Sequence, residues 1–302
     1  GSNTLYRCGY ENYVIESVNQ ETGVVTPVLT FESTFQMYGM SVSPVDDDKI
    51  AIKWYDNQYY HIAYYLFSTG SNQANTNAVF DHILPTSSSG KNIAWSRDGT
   101  MLFYMIYSST FGTRAFCKMI IAGPTETCIS MNEPYDFAAT DTHVYVADDT
   151  GHRIVKVQIS DMSATILAGD TTGVTSTGSY EAEQGRSVNS GFAWPYSIEI
   201  TNDDLYAIVG EVGFIRKVDL STGETSVLAG DCGCYTELYG RTHCRGGRLD
   251  GTGSSATIGQ AMRSTRSTDG STLFFTDHRG YLESTCGTDW NNRRIRKVTL
   301  PG

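Results

Sequence analysis

The chain is short of several things, and each shortage narrows what it can be. Basic residues are in the minority: 22 Lys and Arg stand against 33 Asp and Glu, giving a net charge of −11 with no basic block. An acidic surface repels a phosphate backbone, so nucleic acid is not expected as a partner. No run approaches the roughly 18–20 apolar residues needed to span a bilayer, so this segment is not expected to insert directly into a membrane. Sustained helical periodicity is also missing, which argues against an α/β fold. No Asn-x-Ser/Thr sequon occurs, which weighs against heavy N-glycosylation. Catalytic motifs such as G-x-S-x-G, H-E-x-x-H or a P-loop are lacking too. The opening Gly1-Ser2 reads as the remnant of a cleavage site, so the chain is expected to be a segment excised from a longer protein.

What is plentiful is Gly, Ser, Thr and Tyr, a mixture that suits short strands joined by tight turns. Seven cysteines are present: Cys8, Cys117, Cys128, Cys232, Cys234, Cys244 and Cys286. Cys117 and Cys128 flank "KMIIAGPTET", which folds back about Ala122-Gly123 and sets the two thiols opposite each other. A disulfide there implies an oxidising compartment.

The decisive feature is a repeat. "HVYVADDTGHRIVKVQISDMSATILAGD" is answered by "LYAIVGEVGFIRKVDLSTGETSVLAGD" and, without its ending, by "STLFFTDH…RRIRKVTL". Two diverged copies lie upstream, and "LYRCGYENYVIESVNQETGVVTPVLT" supplies a partial first copy. The six units span about 4–31, 38–81, 91–130, 135–170, 195–231 and 262–301, each written as strands A to D, with A missing from the first and D from the last. A four-stranded sheet cannot bury both faces alone, whereas radial stacking buries them and leaves only short edges. The expectation is all-β: one six-bladed β-propeller over 1–302.

"VYVADDTGHRIVKV", "FIRKVDLSTGETSVLAGD", "LDGTGSSATIGQAM" and "NSGFAWPYSIEI" resemble the NHL-repeat β-propeller family over roughly residues 135–302, and the first half keeps only the strand order. Extracellular adhesion members, such as the kinetoplastid flagellum-attachment glycoproteins, are similar in arrangement. That resemblance implies a membrane-anchored surface glycoprotein, here represented by its ectodomain.

The repeated basic pairs Arg153/Lys156, Arg216/Lys217 and Arg294/Lys297 alternate with Ile154, Val157, Ile215, Val218, Ile295 and Val298. Opposite strand faces explain that alternation, and acids in neighbouring strands such as Asp148 or Asp277 are the expected partners. Binding chemistry is thinner. Asp170 and Asp231 offer one carboxylate per glycine turn, and "DGTGS" at 250–254 lacks the spaced oxygens of a calcium loop. The six histidines are His61, His82, His143, His152, His243 and His278, and His143 and His278 sit at non-equivalent strand heights, which suits a shared metal poorly. "CGCYTELYGRTHC" could present cysteines and His243 to zinc, but disulfide pairing fits an extracellular protein better. No catalytic residue, metal ligand or cofactor is therefore assigned. A metal-dependent propeller enzyme of lyase or lactonase type, with a channel site, is the alternative.

Topology points to one elaborated face. In an A–B–C–D blade the B–C and D–A connections share a face, and the long insertions Thr171–Ala193, Cys232–Gln260 and Arg279–Asn292 all belong to it. Long ordered loops usually persist for function. Five cysteines, Cys8, Cys232, Cys234, Cys244 and Cys286, lie there, with a Cys8–Cys286 clasp between first and last blades as one pairing. The other joins Cys286 to the 232–244 loop. Tyr180, Trp194, Tyr235, Tyr239, Tyr281 and Trp290 are the candidate contact residues, an amphipathic aromatic set suited to interfaces. Tyr55, Tyr59 and Tyr60 add to that set from another B–C loop. The sequence thus reads as a non-enzymatic, extracellular recognition and adhesion domain for another, cell-surface protein.

Overall fold

The computed structural model describes residues 4–8, 14–19, 21–31, 36–69, 78–84, 92–108, 113–169, 191–192, 194–231, 235–238, 241–244, 249–267, 269–278, 281–282, 287–288 and 293–300. The chain divides into two compact units, Gly1–Ser130 and Met131–Gly302. Among the described residues everything regular is antiparallel strand, apart from two single 3-10 turns at Phe67–Thr69 and Gly253–Ser255. No helix among the described residues is long and apolar enough to cross a membrane.

In the first unit, β1 (Thr4–Cys8), β2 (Val14–Asn19) and β3 (Val25–Thr30) form a three-stranded sheet. It is followed by two four-stranded sheets: β4 (Gln36–Val42), β5 (Lys49–Tyr55), β6 (Tyr60–Leu66) and β7 (Phe80–Leu84), then β8 (Ile93–Trp95), β9 (Met101–Ser108), β10 (Thr113–Ile120) and β11 (Thr125–Met131). The second unit repeats the plan with β12 (Pro134–Ala139), β13 (His143–Asp148), β14 (Arg153–Gln158) and β15 (Ala164–Gly169). Next come β16 (Ser197–Ile200), β17 (Tyr206–Gly210), β18 (Ile215–Asp219) and β19 (Thr225–Ala229). Inside the insertion after β19, β20 (Tyr235–Leu238) and β21 (Arg241–Cys244) make a two-stranded ribbon. The last sheet is β22 (Gln260–Arg266), β23 (Thr272–His278) and β26 (Arg293–Thr299), and its B–C insertion holds the small ribbon β24 (Tyr281–Leu282) and β25 (Gly287–Thr288).

The middle strands are buried on both faces, as β5 and β17 show, because sheets of the same unit pack on each side of them. That is why "IAIKW" and "YAIV" read as apolar runs, while the outer strands β3 and β15 lose burial towards one end. Within each unit the first strands of successive sheets lie against one another: β4 on β8, β12 on β16, and β16 on β22. These are the inner strands, and five sheets possess one. The six blades expected from the repeat are therefore corrected to five. The β1–β3 sheet has no inner strand and packs through Ile15, Leu29 and Phe31 on Ile50, Ile52 and Tyr65 of the next.

Three of the A–B turns are built alike. Ser96, Thr201 and Ser267 each donate a hydroxyl to the carboxylate two residues on, Asp98, Asp203 or Asp269, and accept the amide of Met101, Tyr206 or Thr272. Side chains thereby satisfy the backbone of a turn too tight to satisfy itself. Those bonds hold the Asp269 carboxyl down at about 2.

In the third sheet Cys117 of β10 and Cys128 of β11 are joined by a disulfide, Cα to Cα 4.1 Å, as the hairpin register implies.

Candidate functional site

The connections of the second unit assemble on one face from the backbone up. The B–C turn after β13 folds back at Gly151 and His152, where His152 takes a positive φ of 51°. The tail of the following D–A insertion returns to it: Phe192 donates its amide to the His152 carbonyl at 3.3 Å, and Nδ1 of His152 lies 2.9 Å from the Phe192 carbonyl. Trp194 is set against the same imidazole, ring centres 5.7 Å apart. One blade further on, Gly213 bonds to the Gly259 carbonyl and Val212 bridges to Gln260. B–C and D–A connections thus interlock. Trp194, an expected contact residue, stands among them.

Beneath this face every sheet of the second unit closes on a buried acid and an arginine. Asp148 and Asp277 are fully buried at the ends of their B strands, and Glu211 occupies the matching place after β17. Asp148 meets Arg153 at 2.8 Å, Glu211 pairs with Arg216, and Asp277 meets Arg296 at 2.9 Å. Burial pushes the Asp148 and Asp277 carboxyls upward, and the facing guanidinium groups oppose that shift. Arg216 lies between the rings of Phe192 and Phe214, at 5.1 and 5.8 Å. Lys156 and Lys217 cover Tyr145 and Tyr206. The basic signature is thus structural, with one correction: Asp277 takes Arg296 rather than Arg294. In β18 and β26 the strand's isoleucine, Ile215 or Ile295, is followed by the pairing arginine; in β14 Ile154 is followed by Val155, and Arg153 reaches across instead. Arg296 also donates to Asp250 and to the Leu249 and Thr257 carbonyls, so the "DGTGS" loop serves as an arginine acceptor.

A second cluster lies on the inner strands β12, β16 and β22. Asp136 faces Arg263 at 3.6 Å and accepts the Ile198 amide at 3.2 Å. Arg263 covers the ring of Tyr135, which meets Tyr196 edge-on at 5.0 Å. Arg266 donates to Asn202 at 2.9 Å. Burial raises Asp136 to about 6 even against Arg263. Glu199 is raised to about 8 by burial and by Asp136, against the pull of Arg266. At neutral pH Glu199 therefore holds a proton, even with the Arg266 guanidinium acting on it. Sequence reasoning passed over all four charged residues, because each is a single polar letter in a short inner strand. Their signal was positional: "PYDF", "YSIEI" and "AMRS" place them on successive A strands.

The remaining expected residues are less fully placed. Tyr235 and Cys244 belong to the β20–β21 ribbon, Tyr281 to β24 and Cys8 to β1, while their side chains lie outside the described residues. Tyr180, Tyr239, Trp290, Cys232, Cys234 and Cys286 also lie outside them, and with them both Cys286 pairings. In the first unit Tyr55 and Tyr60 pack at 4.6 Å, and Tyr59 stands exposed on a turn held by Asp56. One Cys/Glu group among the described residues has ligand spacing, Cys117, Glu126 and Cys128, but its two sulfurs are bonded to each other and Glu126 accepts from Tyr104.

The sheets define a β-propeller. Solved structures similar to it include a chain of the nidogen/laminin complex, with a TM-score of 0.58 and 11% identity over 98% of this chain and 96% of that one. TolB from Acinetobacter baumannii gives 0.55 and 12% over 97% of this chain and 64% of its own. An auxiliary nutrient binding protein from Bacteroides thetaiotaomicron gives 0.62 and 13% over 98% and 66%. At such identities the likeness is one of fold. No protein-family model matches the chain, and no curated protein matches its sequence.

Proposed function

We propose that this propeller, of the NHL kind, is a non-enzymatic recognition domain that binds another protein at a cell surface, through the face carrying its B–C and D–A connections. The observation that carries the reading is the interlock of those connections in the second unit, where Phe192 and Trp194 are pinned to His152. A face held by backbone bonds and buried ion pairs presents its loops without a large ordering cost on binding. The Cys117–Cys128 bond agrees with an oxidising, extracellular setting. One similar chain comes from a nidogen/laminin complex, an assembly of proteins.

The test uses fluorescently labelled protein on cells of the source organism, read by flow cytometry. Replacing residues 171–190 and 232–248 with short Gly-Ser linkers, or changing Trp194→Ala, is expected to abolish or weaken saturable cell binding while the thermal midpoint holds. Unchanged binding by the doubly trimmed protein overturns the reading.

A further inference from the structure

The last sheet stops one strand short, and the complete sheets show what is missing. By pairing, Ile295 of β26 lies opposite Thr276 as Ile154 lies opposite Ala147 and Ile215 opposite Gly210. Ile154 and Ile215 are completely buried, whereas Ile295 is 79% exposed. In the complete sheets a fourth strand, β15 or β19, lies along this edge. Along β26 no described strand pairs on the side away from β23. A groove of about 700 Å³ runs beside it, walled by Leu228, Ala229, Ile258 and Phe275 and by β26 itself.

The occupant this slot fits can be read from the same comparison. Ile154 faces Ala168 and Ile215 faces Ala229; Val155 and Arg216 face Ile166 and Val227; Lys156 and Lys217 face Thr165 and Ser226. Both fourth strands end in a glycine at positive φ, Gly169 at 104° and Gly230 at 108°. A Cβ on Gly169 would come within 2.6 Å of Arg153 Cα, and one on Gly230 within 2.9 Å of Phe214 Cα. An open edge with unpaired amides and carbonyls takes such a strand by main-chain bonding, while alternate side chains set the choice. Arg294 and Lys297 are exposed on either side of Ile295, so acidic flanks are favoured.

We propose that the free edge of β26 is a second docking site, apart from the loop face, and that it captures an extended segment of a partner protein with the pattern Ser/Thr-Ile/Val-Leu-Ala-Gly and an acidic end. The segment runs antiparallel to β26, and its Ala covers Ile295.

The probe is a synthetic peptide, SATILAGD, copying residues 163–170, against a scrambled control, with hydrogen–deuterium exchange over residues 293–299 and fluorescence anisotropy as readouts. Saturable binding of the copy but not the scramble, with new protection confined to 293–299, is the expected result. Ile295→Asp, an exposed position, should weaken binding by about tenfold by setting a carboxylate against the apolar strand, and should leave the thermal midpoint unchanged. Slow exchange in the protein alone of the 293–299 amides that point away from β23 would show the slot already filled in cis and overturn the proposal. So would absence of added protection at saturating peptide, or equal binding of the scramble. Peptide binding by the loop-trimmed protein separates this site from the loop face: loss of one leaves the other standing.

Discussion

The two halves of the repeat solve the same problem differently. In the second unit the end of each B strand carries a buried acid answered by arginine: Asp148 with Arg153, Glu211 with Arg216, Asp277 with Arg296. Among the described residues the first unit has one relative of this device, Asp56 and His61, at the same five-residue spacing as Asp148 and Arg153. Nε2 of His61 lies 3.3 Å from Asp56 and Nδ1 3.0 Å from Asp81, with the ring stacked on Trp54. In the same sheet the buried Lys53 of β5 donates to the Met105 carbonyl of β9. Four-stranded sheets form either way. The signature is therefore a brace for the B–C turn and not a condition for the blade, which strand alternation and stacking already provide.

The largest effect that would break this comparison is expected at Arg216. Arg216→Ala leaves Glu211 fully buried without its counter-charge and strips a cation from between two phenyl rings, which should cost about 3–5 kcal/mol. His61→Ala in the first unit should cost only about 1 kcal/mol, since Asp56 and Asp81 keep access to water. Urea unfolding of both variants measures the gap. Equal costs would mean that both halves rely on the brace alike.

How much of this was legible follows from the same particulars. The strands of the second half could be read because "VYVA" and "RIVKV" keep one register through three copies, and the hairpin about Ala122-Gly123 gave the Cys117–Cys128 bond directly. Blade count was harder. A strand order of B, C and D looks like a blade in one dimension, and only the missing inner strand before β1 reduces six to five. Arg296 was passed over for Arg294 because the pairing partner of Asp277 in the ladder is Arg294, whereas the ion pair forms two residues along, on the same face. The inner-strand group of Asp136, Glu199, Arg263 and Arg266 joins residues up to 130 positions apart (136 to 266), a distance no local pattern can reveal.

Next in size is the disulfide of the third sheet, the only one among the described residues. Closing a loop with a sequence separation of 11 should contribute about 3 kcal/mol through the unfolded chain. The double change Cys117→Ala and Cys128→Ala should lower the urea midpoint accordingly, and dithiothreitol should reproduce the loss in the unaltered protein. A midpoint indifferent to reductant would show that the sheet needs no staple.

Lys53 sharpens the contrast from the other side, as a buried cation that donates to a backbone carbonyl. Burial lowers it from 10.5 to about 7, so between those values the unfolded chain holds a proton that the folded protein has released. Stability therefore rises with pH from about 7 to 10.5, and below 7 the full cost of burying the charge remains. Lys53→Met should stabilise by roughly 2 kcal/mol at pH 6 and by progressively less as the pH approaches 10. Thermal midpoints across that range decide it; a gain independent of pH would reduce the effect to packing.

The smallest effect belongs to Glu199, where the second unit buries an acid without a direct arginine bond. Its carboxyl is raised from 4.5 to about 8, so across that window the folded protein binds a proton that the unfolded chain has lost. The sign is opposite to a braced carboxylate: stability is fullest below pH 4.5 and declines as pH rises through 8. Asp136, raised to about 6, adds its own decline from 3.8 upward, opposed by Arg263. Glu199→Gln keeps the shape and removes the proton, so it should flatten the stability profile between pH 5 and 8 while changing little at pH 4. Asp148 and Asp277 are also pushed upward by burial, but their arginines stay bonded, so Asn at either position should destabilise at pH 7 where Gln at 199 does not. Urea midpoints of Glu199→Gln and Asp148→Asn at pH 5, 7 and 8.5 test the pair, and parallel behaviour of the two variants would erase the distinction between a braced acid and a protonated one.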